Sequence, residues 1–273
     1  MRKLNWIFFI AIAIAFQMVS SYCFAQSESA PSRKQVKFFF PGARLADDFK
    51  FSFPGKFKEI VIRTKDSSNL SALLFKADSS KGVILYLHGN TDALDKWGGA
   101  AQIYTALNYD VFMLDYRGYG KSQGNIRNEA QLYSDVQDTY SYVKTIYPED
   151  NIIVLGYSIG TGPAAMLAAY NRPKKLILQA PYYSLPDAMR HLRPSFDTTN
   201  IAFHFNIDKF LPKTSAPVII FHGDADKMFY YGSSLKLKNL FKPSDELITL
   251  KGAGHSYMDR NKDYLDALIR ILK

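Results

Sequence analysis

The sequence predicts an α/β fold in which helices flank a mostly parallel central sheet. From residue 57 onward, short β-branched or apolar runs alternate with longer helical stretches, which is the pattern of βαβ units. The run from Val83 to Leu87 is apolar at every position, as a strand buried on both faces requires. A length of 273 residues with 47% hydrophobic content suits a single domain with a large core.

The elements follow from these runs in chain order. The first two strands are predicted to form an antiparallel pair, and the later ones to lie parallel. Predicted strands cover 57–62, 70–75, 83–87, 111–114, 152–155, 176–179, 218–221 and 247–250, and predicted helices cover 97–107, 129–146, 164–170 and 262–272. The stretch from 181 to 217 interrupts the alternation and is rich in Tyr, Phe and Pro, so we expect a small cap insertion over one end of the sheet.

The amino-terminal segment has the features of a secretory signal. Arg2 and Lys3 precede an apolar stretch from Trp6 to Phe16, and Cys23 and Ala25 are small residues at the third and first places before Gln26. We therefore expect cleavage near Ala25 and export to the periplasm or the cell exterior. Two alternatives remain open, which are retention of the uncleaved segment as a membrane anchor and lipidation at Cys23.

This interpretation divides the chain into three parts. Residues 1–25 are the predicted signal peptide, residues 26–37 a polar linker that begins with a Ser- and Pro-containing stretch, and residues 38–273 the folded domain.

Charge and composition exclude several classes of protein. Lys and Arg number 34 against 25 acidic residues, a net charge of +9, but they are scattered and form no basic stripe interleaved with aromatics, so we expect no nucleic-acid partner. The positive balance allows contact with an anionic membrane surface. One cysteine excludes an intramolecular disulfide framework, and the five histidines show no ligand spacing, so no metal or cofactor is expected. We expect a monomer.

A candidate nucleophile lies between a strand and a helix. Gly156-Tyr157-Ser158-Ile159-Gly160 matches the G-x-S-x-G nucleophile elbow, in which a serine occupies a strained turn at the carboxyl end of the sheet. A second match at residues 120–124 follows a polar loop and leads into Asn125 rather than a helix. Ser158, and not Ser122, is therefore the predicted nucleophile.

A serine nucleophile needs a histidine to take its proton and a carboxylate to orient that histidine. His255 lies in a Gly-containing loop after the last strand, and Asp224 and Asp226 follow the strand 218–221. All three are expected at the same sheet edge as Ser158. The spacing alone leaves Asp224 and Asp226 as competing candidates for the acid.

The oxyanion formed during attack needs backbone N–H donors. One is expected from Ile159, directly after the nucleophile, and the second from Asn90, in the loop that follows the strand 83–87.

Together these motifs resemble the α/β-hydrolase superfamily, and most of all its small single-domain branch of Bem46-like and serine aminopeptidase S33-like proteins. The resemblance spans residues 39–273. Its motifs are Phe40-Pro41, Leu87 to Asn90, Leu114 to Ser122, Gly156 to Gly160, His222 to Asp226 and Gly254-His255. The family pattern H-G-x-x-D implies that Asp226 is the acid, and that Asp115 and Arg117 are structural residues beside the site.

The resemblance implies a serine hydrolase that cleaves a carboxylic ester, or a related thioester or amide, of a small-molecule acyl substrate. Two rival functions remain, an acyltransferase with the same triad and a non-catalytic exported binding module. Tyr182, Tyr183 and Phe229 are candidate substrate-binding residues. The aromatic residues of the insertion either line an acyl pocket or form the insertion's own core; they are Tyr182, Tyr183, Phe196, Phe203, Phe205 and Phe210.

Overall fold

The computed structural model describes residues 32–199 and 201–273. The predicted signal peptide, with Cys23 and Ala25, and the first six residues of the predicted linker lie outside this part of the chain. No helix in the described part is both long and apolar enough to cross a membrane.

The described part of the chain forms ten strands, and eight of them make up a sheet at the centre of the molecule. In chain order the strands are β1 (Ala43–Arg44), β2 (Lys56–Arg63), β3 (Asn69–Lys76), β4 (Val83–Leu87), β5 (Asp110–Leu114), β6 (Tyr119–Gly120), β7 (Ile152–Tyr157), β8 (Lys175–Gln179), β9 (Val218–Gly223) and β10 (Glu246–Leu250). The order across the main sheet is β10-β9-β8-β7-β4-β5-β3-β2, and β1 pairs separately with β6. Only β3 runs against its neighbours β2 and β5, which confirms the predicted antiparallel opening pair and the mostly parallel sheet.

The central strands are buried on both faces because successive side chains point to opposite sides of the sheet. Along β4, Val83, Leu85 and Leu87 enter one apolar cluster, whereas Ile84 and Tyr86 enter the other. The strand β7 divides in the same way. A continuous apolar run is therefore needed to supply two cores at once.

Helices cover both faces of the sheet. They are α1 (Arg33–Phe39), α2 (Leu94–Trp97), α3 (Ala101–Thr105), α4 (Glu129–Lys144), α5 (Thr161–Tyr170), α6 (Leu185–Leu192), α7 (Ile207–Phe210), α8 (Gly232–Lys238) and α9 (Lys262–Leu272). The apolar sides of α4 and α5 join the first cluster, and those of α2, α3 and α9 join the second. In α9, for example, Tyr264, Leu268 and Ile271 recur at helical spacing and are buried.

The segment 181–217 contains α6 and α7 and packs on the face that α4 and α5 cover. Phe203 and Phe205 are fully buried, and their rings contact Phe40 at centroid distances of 5.1 and 6.0 Å. The Glu129 carboxylate, at the start of α4, accepts hydrogen bonds from the backbone N–H groups of His204 and Phe205. The aromatic residues of the insertion thus contribute to the protein core.

Two predicted elements differ from the structure. The single helix expected over 97–107 is replaced by α2, a 3-10 turn at Gly98–Ala100 and α3. The predicted linker was extended to residue 37, but α1 begins at Arg33, where Ser32 caps it by accepting a hydrogen bond from the Gln35 N–H. Val36 of α1, inside the predicted linker, packs against the first apolar cluster, so the folded part begins earlier than composition suggested.

Candidate active site

Ser158 stands on a sharp turn between β7 and α5. Its φ of +53° lies in the left-handed region, which a non-glycine residue occupies only when the surroundings hold it there. A Cβ on Gly156 would lie 2.5 Å from the carbonyl oxygen of Gly160, and a Cβ on Gly160 would lie 2.2 Å from that of Leu87. Both positions require glycine because the backbone of the turn packs closely against its own carbonyl groups and against the end of β4, which leaves no room for a Cβ.

His255 contacts both Ser158 and a carboxylate. It lies in the loop after β10, and its Nε2 is 2.8 Å from the Ser158 Oγ. Its Nδ1 is 2.7 Å from the Asp226 Oδ2. Because a carboxylate can only accept, Nδ1 donates to Asp226, and Nε2 is left to accept the Ser158 hydroxyl proton. Ser158 is only 5% exposed.

Asp226 is surrounded by hydrogen-bond donors. Besides His255, the His222 Nε2 lies 3.2 Å from Oδ2, and the backbone N–H groups of Met228 and Phe229 donate to Oδ1 over 2.8 and 3.0 Å. Burial raises the pKa of the Asp226 carboxyl, but the hydrogen bonds from His222 and His255 outweigh burial and hold the pKa well below its ordinary range. The carboxylate is therefore ionised at neutral pH.

The two acids that spacing left as alternatives have different contacts. The Asp224 Oδ1 accepts a hydrogen bond from the Gly252 N–H over 2.7 Å, and so fastens the loop that leads to His255. Only Asp226 of the two contacts the imidazole of His255.

His222 contributes to the site in a way that sequence reasoning missed. Its Nε2 lies 2.8 Å from the carbonyl oxygen of Phe229, which can only accept, so Nε2 carries the proton that also faces Asp226. Its Nδ1 then accepts the hydroxyl proton of Ser234 at 2.6 Å. The separation of four residues between His222 and Asp226 was the available signal, but it does not reveal this contact without the turn geometry.

The predicted oxyanion donors lie on either side of Ser158. Ile159 follows Ser158 in the 3-10 turn Ser158–Gly160. Asn90 lines the pocket above Ser158 and is held at two points, since its side chain donates to the Phe39 carbonyl over 3.1 Å and its own carbonyl accepts from the Tyr119 hydroxyl over 2.7 Å. The segment that ends α1 therefore fixes the Asn90 loop.

A buried pair lies under the Asn90 loop. The His88 Nδ1 donates to the Gly89 carbonyl, while its Nε2 lies 3.6 Å from the Asp115 Oδ1, which also accepts the Leu94 N–H. Neither the His88 Nε2 nor the Asp115 Oδ2 has a hydrogen-bond partner in the described part of the chain. Burial raises the pKa of the Asp115 carboxyl.

The three predicted substrate-binding residues do not line the pocket at Ser158. Tyr182 is fully buried, and its hydroxyl donates to the Ile159 carbonyl over 3.0 Å, so it supports the turn instead. Phe229 is buried beside the His255 ring, with centroids 5.4 Å apart. Tyr183 is half-buried within the cap. Tyr182 and Tyr183 belong to the insertion, whose aromatic residues pack mainly into the core, and Phe229, outside the insertion, packs against the Tyr182 ring with centroids 4.9 Å apart.

The pocket that holds Ser158 and His255 has a volume of about 530 Å³. Its walls include Tyr157 of the nucleophile-elbow motif, and also residues that carried no motif: Trp97 of α2, Met228, Tyr257, Asp259 and Arg260. Tyr157 also donates its hydroxyl to the His255 carbonyl over 2.5 Å. Aromatic rings and the loop of the histidine therefore form one wall.

The deep end of the pocket is polar. The Gln179 Nε2 donates to the hydroxyls of Tyr104 and Tyr264, which lie 2.8 Å from each other. Burial raises the pKa of Tyr104 to about 12 and that of Tyr264 well above its ordinary value, so both hydroxyls keep their protons at neutral pH. Tyr86 also lines this end, and burial raises the pKa of its hydroxyl well above the ordinary value.

No group of three or more His, Cys, Asp or Glu side chains within 32–199 and 201–273 is arranged to hold a metal ion.

A family model and known sequences that are similar to this chain agree with one another. The model of the family described as serine aminopeptidase, S33, matches residues 78–206. Alpha/beta hydrolase domain-containing protein 17B of Homo sapiens is 31% identical over 220 residues, which are 76% of this chain and 72% of that protein. The 17C protein of Xenopus tropicalis is 31% identical over 217 residues, 76% of this chain and 66% of that protein.

Solved structures share the fold. The Pyrococcus furiosus esterase Pf2001 superposes with a TM-score of 0.69 at 19% identity, covering 85% of this chain and 97% of that one. Est1E of Butyrivibrio proteoclasticus, solved with ferulic acid bound, gives a TM-score of 0.63 at 22% identity, covering 78% of this chain and 96% of that one.

Proposed function

The chain belongs to the α/β-hydrolase superfamily, and on that basis we propose that it is an exported serine hydrolase that cleaves a carboxylic ester, or a related thioester or amide, through an acyl-enzyme. The observation that carries the proposal is the unbroken chain of hydrogen bonds from Ser158 through His255 to Asp226, at the bottom of an open pocket. A serine, a neutral imidazole and a buried carboxylate in this order are what nucleophilic acyl transfer requires.

In the proposed reaction the Ser158 hydroxyl attacks the acyl carbonyl while its proton passes to the His255 Nε2. Asp226 stabilises the imidazolium that forms, and the N–H groups of Ile159 and Asn90 bind the oxyanion. Collapse of the tetrahedral intermediate breaks the bond to the leaving group, which takes the proton from His255. Water then attacks the acyl-enzyme with His255 as base, and the acid is released with Ser158 restored.

The pocket favours a substrate with an aromatic or otherwise polar-ended group over a long alkyl chain. Trp97 and Tyr157 offer flat apolar surfaces, but the far end presents the Tyr86 hydroxyl and the hydroxyls bound to Gln179. A long alkyl chain reaching this end would exclude water and offer the Tyr86 hydroxyl no hydrogen-bond partner, which costs free energy. The names of the structural neighbours as esterases are in line with an ester substrate.

A fluorophosphonate probe tests the nucleophile. We expect the purified chain to be labelled and Ser158→Ala to be unlabelled. Ser141→Ala is the matched control, because Ser141 is exposed on α4 and its hydroxyl bonds only to the Gln137 carbonyl. A folded parent that resists the probe, or labelling that survives Ser158→Ala, would overturn the proposal. A panel of acetate, butyrate, palmitate and hydroxycinnamate esters, hydrolysed in water and with an added alcohol acceptor, then separates hydrolysis from acyl transfer.

Export is part of the proposal and rests on residues 1–25 of the sequence alone. Mass spectrometry of the amino terminus of the protein recovered outside the cytoplasm tests it. A new terminus at Gln26 supports cleavage, an acylated Cys23 indicates lipidation, and an intact Met1 indicates a retained anchor.

A further inference from the structure

A second pocket lies beside α1, on the other side of the Phe39 carbonyl that holds Asn90. Its volume is about 630 Å³, and it is formed by α1, residues 40–44 and part of the segment 117–127. We call it the basic pocket, because all the charged residues among the described ones that line it are cationic: Arg33, Lys37, Arg44, Arg117 and Arg127. Five cations around one concavity repel one another unless counter-charges are near.

Arg117 has its counter-charges inside the protein. Its guanidinium donates to both carboxylate oxygens of Asp135 at 2.7 Å, to Asp66 at 2.7 Å and to the Ser68 hydroxyl at 2.6 Å. The second oxygen of Asp66 lies 3.4 Å from Arg127 and offsets part of its charge. Arg117 therefore forms the wall of the basic pocket and is not available to a ligand.

The other three cations have no carboxylate within ion-pair distance in the described part of the chain. Arg44 donates to the carbonyl oxygens of Ser122 and Gly124 over 3.1 and 2.6 Å, which orient its guanidinium without neutralising it. Arg33 and Lys37 form no ion pair or hydrogen bond through their side chains with any described residue. All three side chains line the basic pocket.

The sequence of α1 adds to this charge. Its seven residues include Arg33, Lys34 and Lys37 and no acidic residue. Arg33 and Lys37 are four positions apart, so they lie on one side of the helix, where like charges are unfavourable. A bound anion would relieve this repulsion.

We propose that the basic pocket binds a phosphate group, with Arg33, Lys37, Arg44 and Arg127 as its ligands. The planar guanidinium fork matches the oxygen geometry of phosphate and explains why arginine predominates among the available cations. The inference does not depend on the proposed hydrolase reaction. The phosphate belongs either to a soluble phosphorylated molecule or to the headgroup of an anionic lipid, and these sources are separable by experiment.

Thermal unfolding of the full chain in increasing inorganic phosphate, at constant ionic strength, tests the site. We expect a saturable rise of Tm in the parent. In Arg33→Gln/Lys37→Gln the half-saturating concentration should rise about tenfold or more, since hydrogen bonds to charged groups are lost. Both residues are exposed and glutamine favours helix, so this variant should fold. The control Lys58→Gln/Lys251→Gln removes the same charge at exposed positions outside both pockets.

Vesicle sedimentation identifies the source. Vesicles of phosphatidylcholine alone are compared with vesicles that also contain phosphatidylglycerol. A preference for the anionic vesicles that Arg33→Gln/Lys37→Gln loses and the control keeps supports the site with a lipid headgroup as ligand. Saturable binding of phosphate without that preference supports it with a soluble ligand. Absence of both, or an equal loss in the control variant, overturns the proposal.

Discussion

Replacing Asp226 by asparagine removes the charge that faces His255 and changes little of the surrounding volume. The side-chain oxygen of the introduced asparagine can still accept the N–H groups of Met228 and Phe229, but its amide nitrogen would face donors on both histidines. His255 must then turn its Nδ1 into an acceptor, which moves its proton to Nε2. The imidazole would present a proton to Ser158 instead of accepting one.

The size of the effect follows from the contact distance. Unit charges 2.7 Å apart interact by about 6 kcal/mol at an effective dielectric constant of 20. Because His222 and two backbone N–H groups share the carboxylate, we expect about 4 to 6 kcal/mol of lost transition-state stabilisation, or roughly 10³- to 10⁴-fold in kcat/KM. The same exchange in a serine protease triad costs about 10⁴-fold.

The assay is ester hydrolysis by Asp226→Asn beside the matched variant Asp224→Asn, with circular dichroism to establish folding. Asp224 accepts from Gly252 and does not contact the imidazole, so Asp224→Asn should lose less than about threefold, through a slightly looser loop. A folded Asp226→Asn that keeps more than about a tenth of the activity, or an equal loss in both variants, would refute the assigned roles.

The remaining predictions concern stability. Gly160→Ala should lower the free energy of unfolding by at least about 3 kcal/mol in urea titration, because its Cβ would meet backbone, whereas Gly99→Ala has open space and should stay within about 1 kcal/mol. Asp115 holds its proton more tightly folded than unfolded, so its contribution to stability falls as pH rises above about 4. Asp115→Asn should therefore gain stability relative to the parent as the pH rises above about 4, and a difference that does not change with pH would contradict the burial argument.

The central strands were predictable because each of them must fill two cores, as at Val83 to Leu87, and a strand buried on both faces appears in the sequence as an unbroken apolar run. The helix expected over 97–107 failed for a reason outside the local sequence. A Cβ on Gly98 would lie 2.4 Å from the Phe53 ring. The helix therefore gives way to a 3-10 turn where Phe53, which is distant in sequence, packs against the backbone. Similarly, α1 forms because Phe39 and Phe40 are buried against the insertion.

The same contrast between local sequence and distant contacts applies to the candidate site. Ser158, His255 and the two alternative acids Asp224 and Asp226 could be placed together because each follows a strand at the carboxyl edge of the sheet. The choice of Asp226 came from the family motif H-G-x-x-D and not from the topology. The pocket was not predictable. Trp97 and Tyr257 reach it from parts of the chain that carry no motif, and the aromatic residues of the insertion, such as Phe203, went into the core instead.

The candidate catalytic residues and the residues of the pocket wall lie on different segments, and this separation has an evolutionary consequence. The hydrogen-bonded chain from Ser158 to Asp226 is held by backbone turns at strand ends, whereas part of the pocket wall comes from Trp97 of α2 and from Tyr257, Asp259 and Arg260. Substitutions at positions such as Trp97 or Tyr257 can therefore alter which substrates fit while the reacting groups keep their geometry. A lineage descended from this chain can diverge in substrate range by point substitution and keep one reaction throughout.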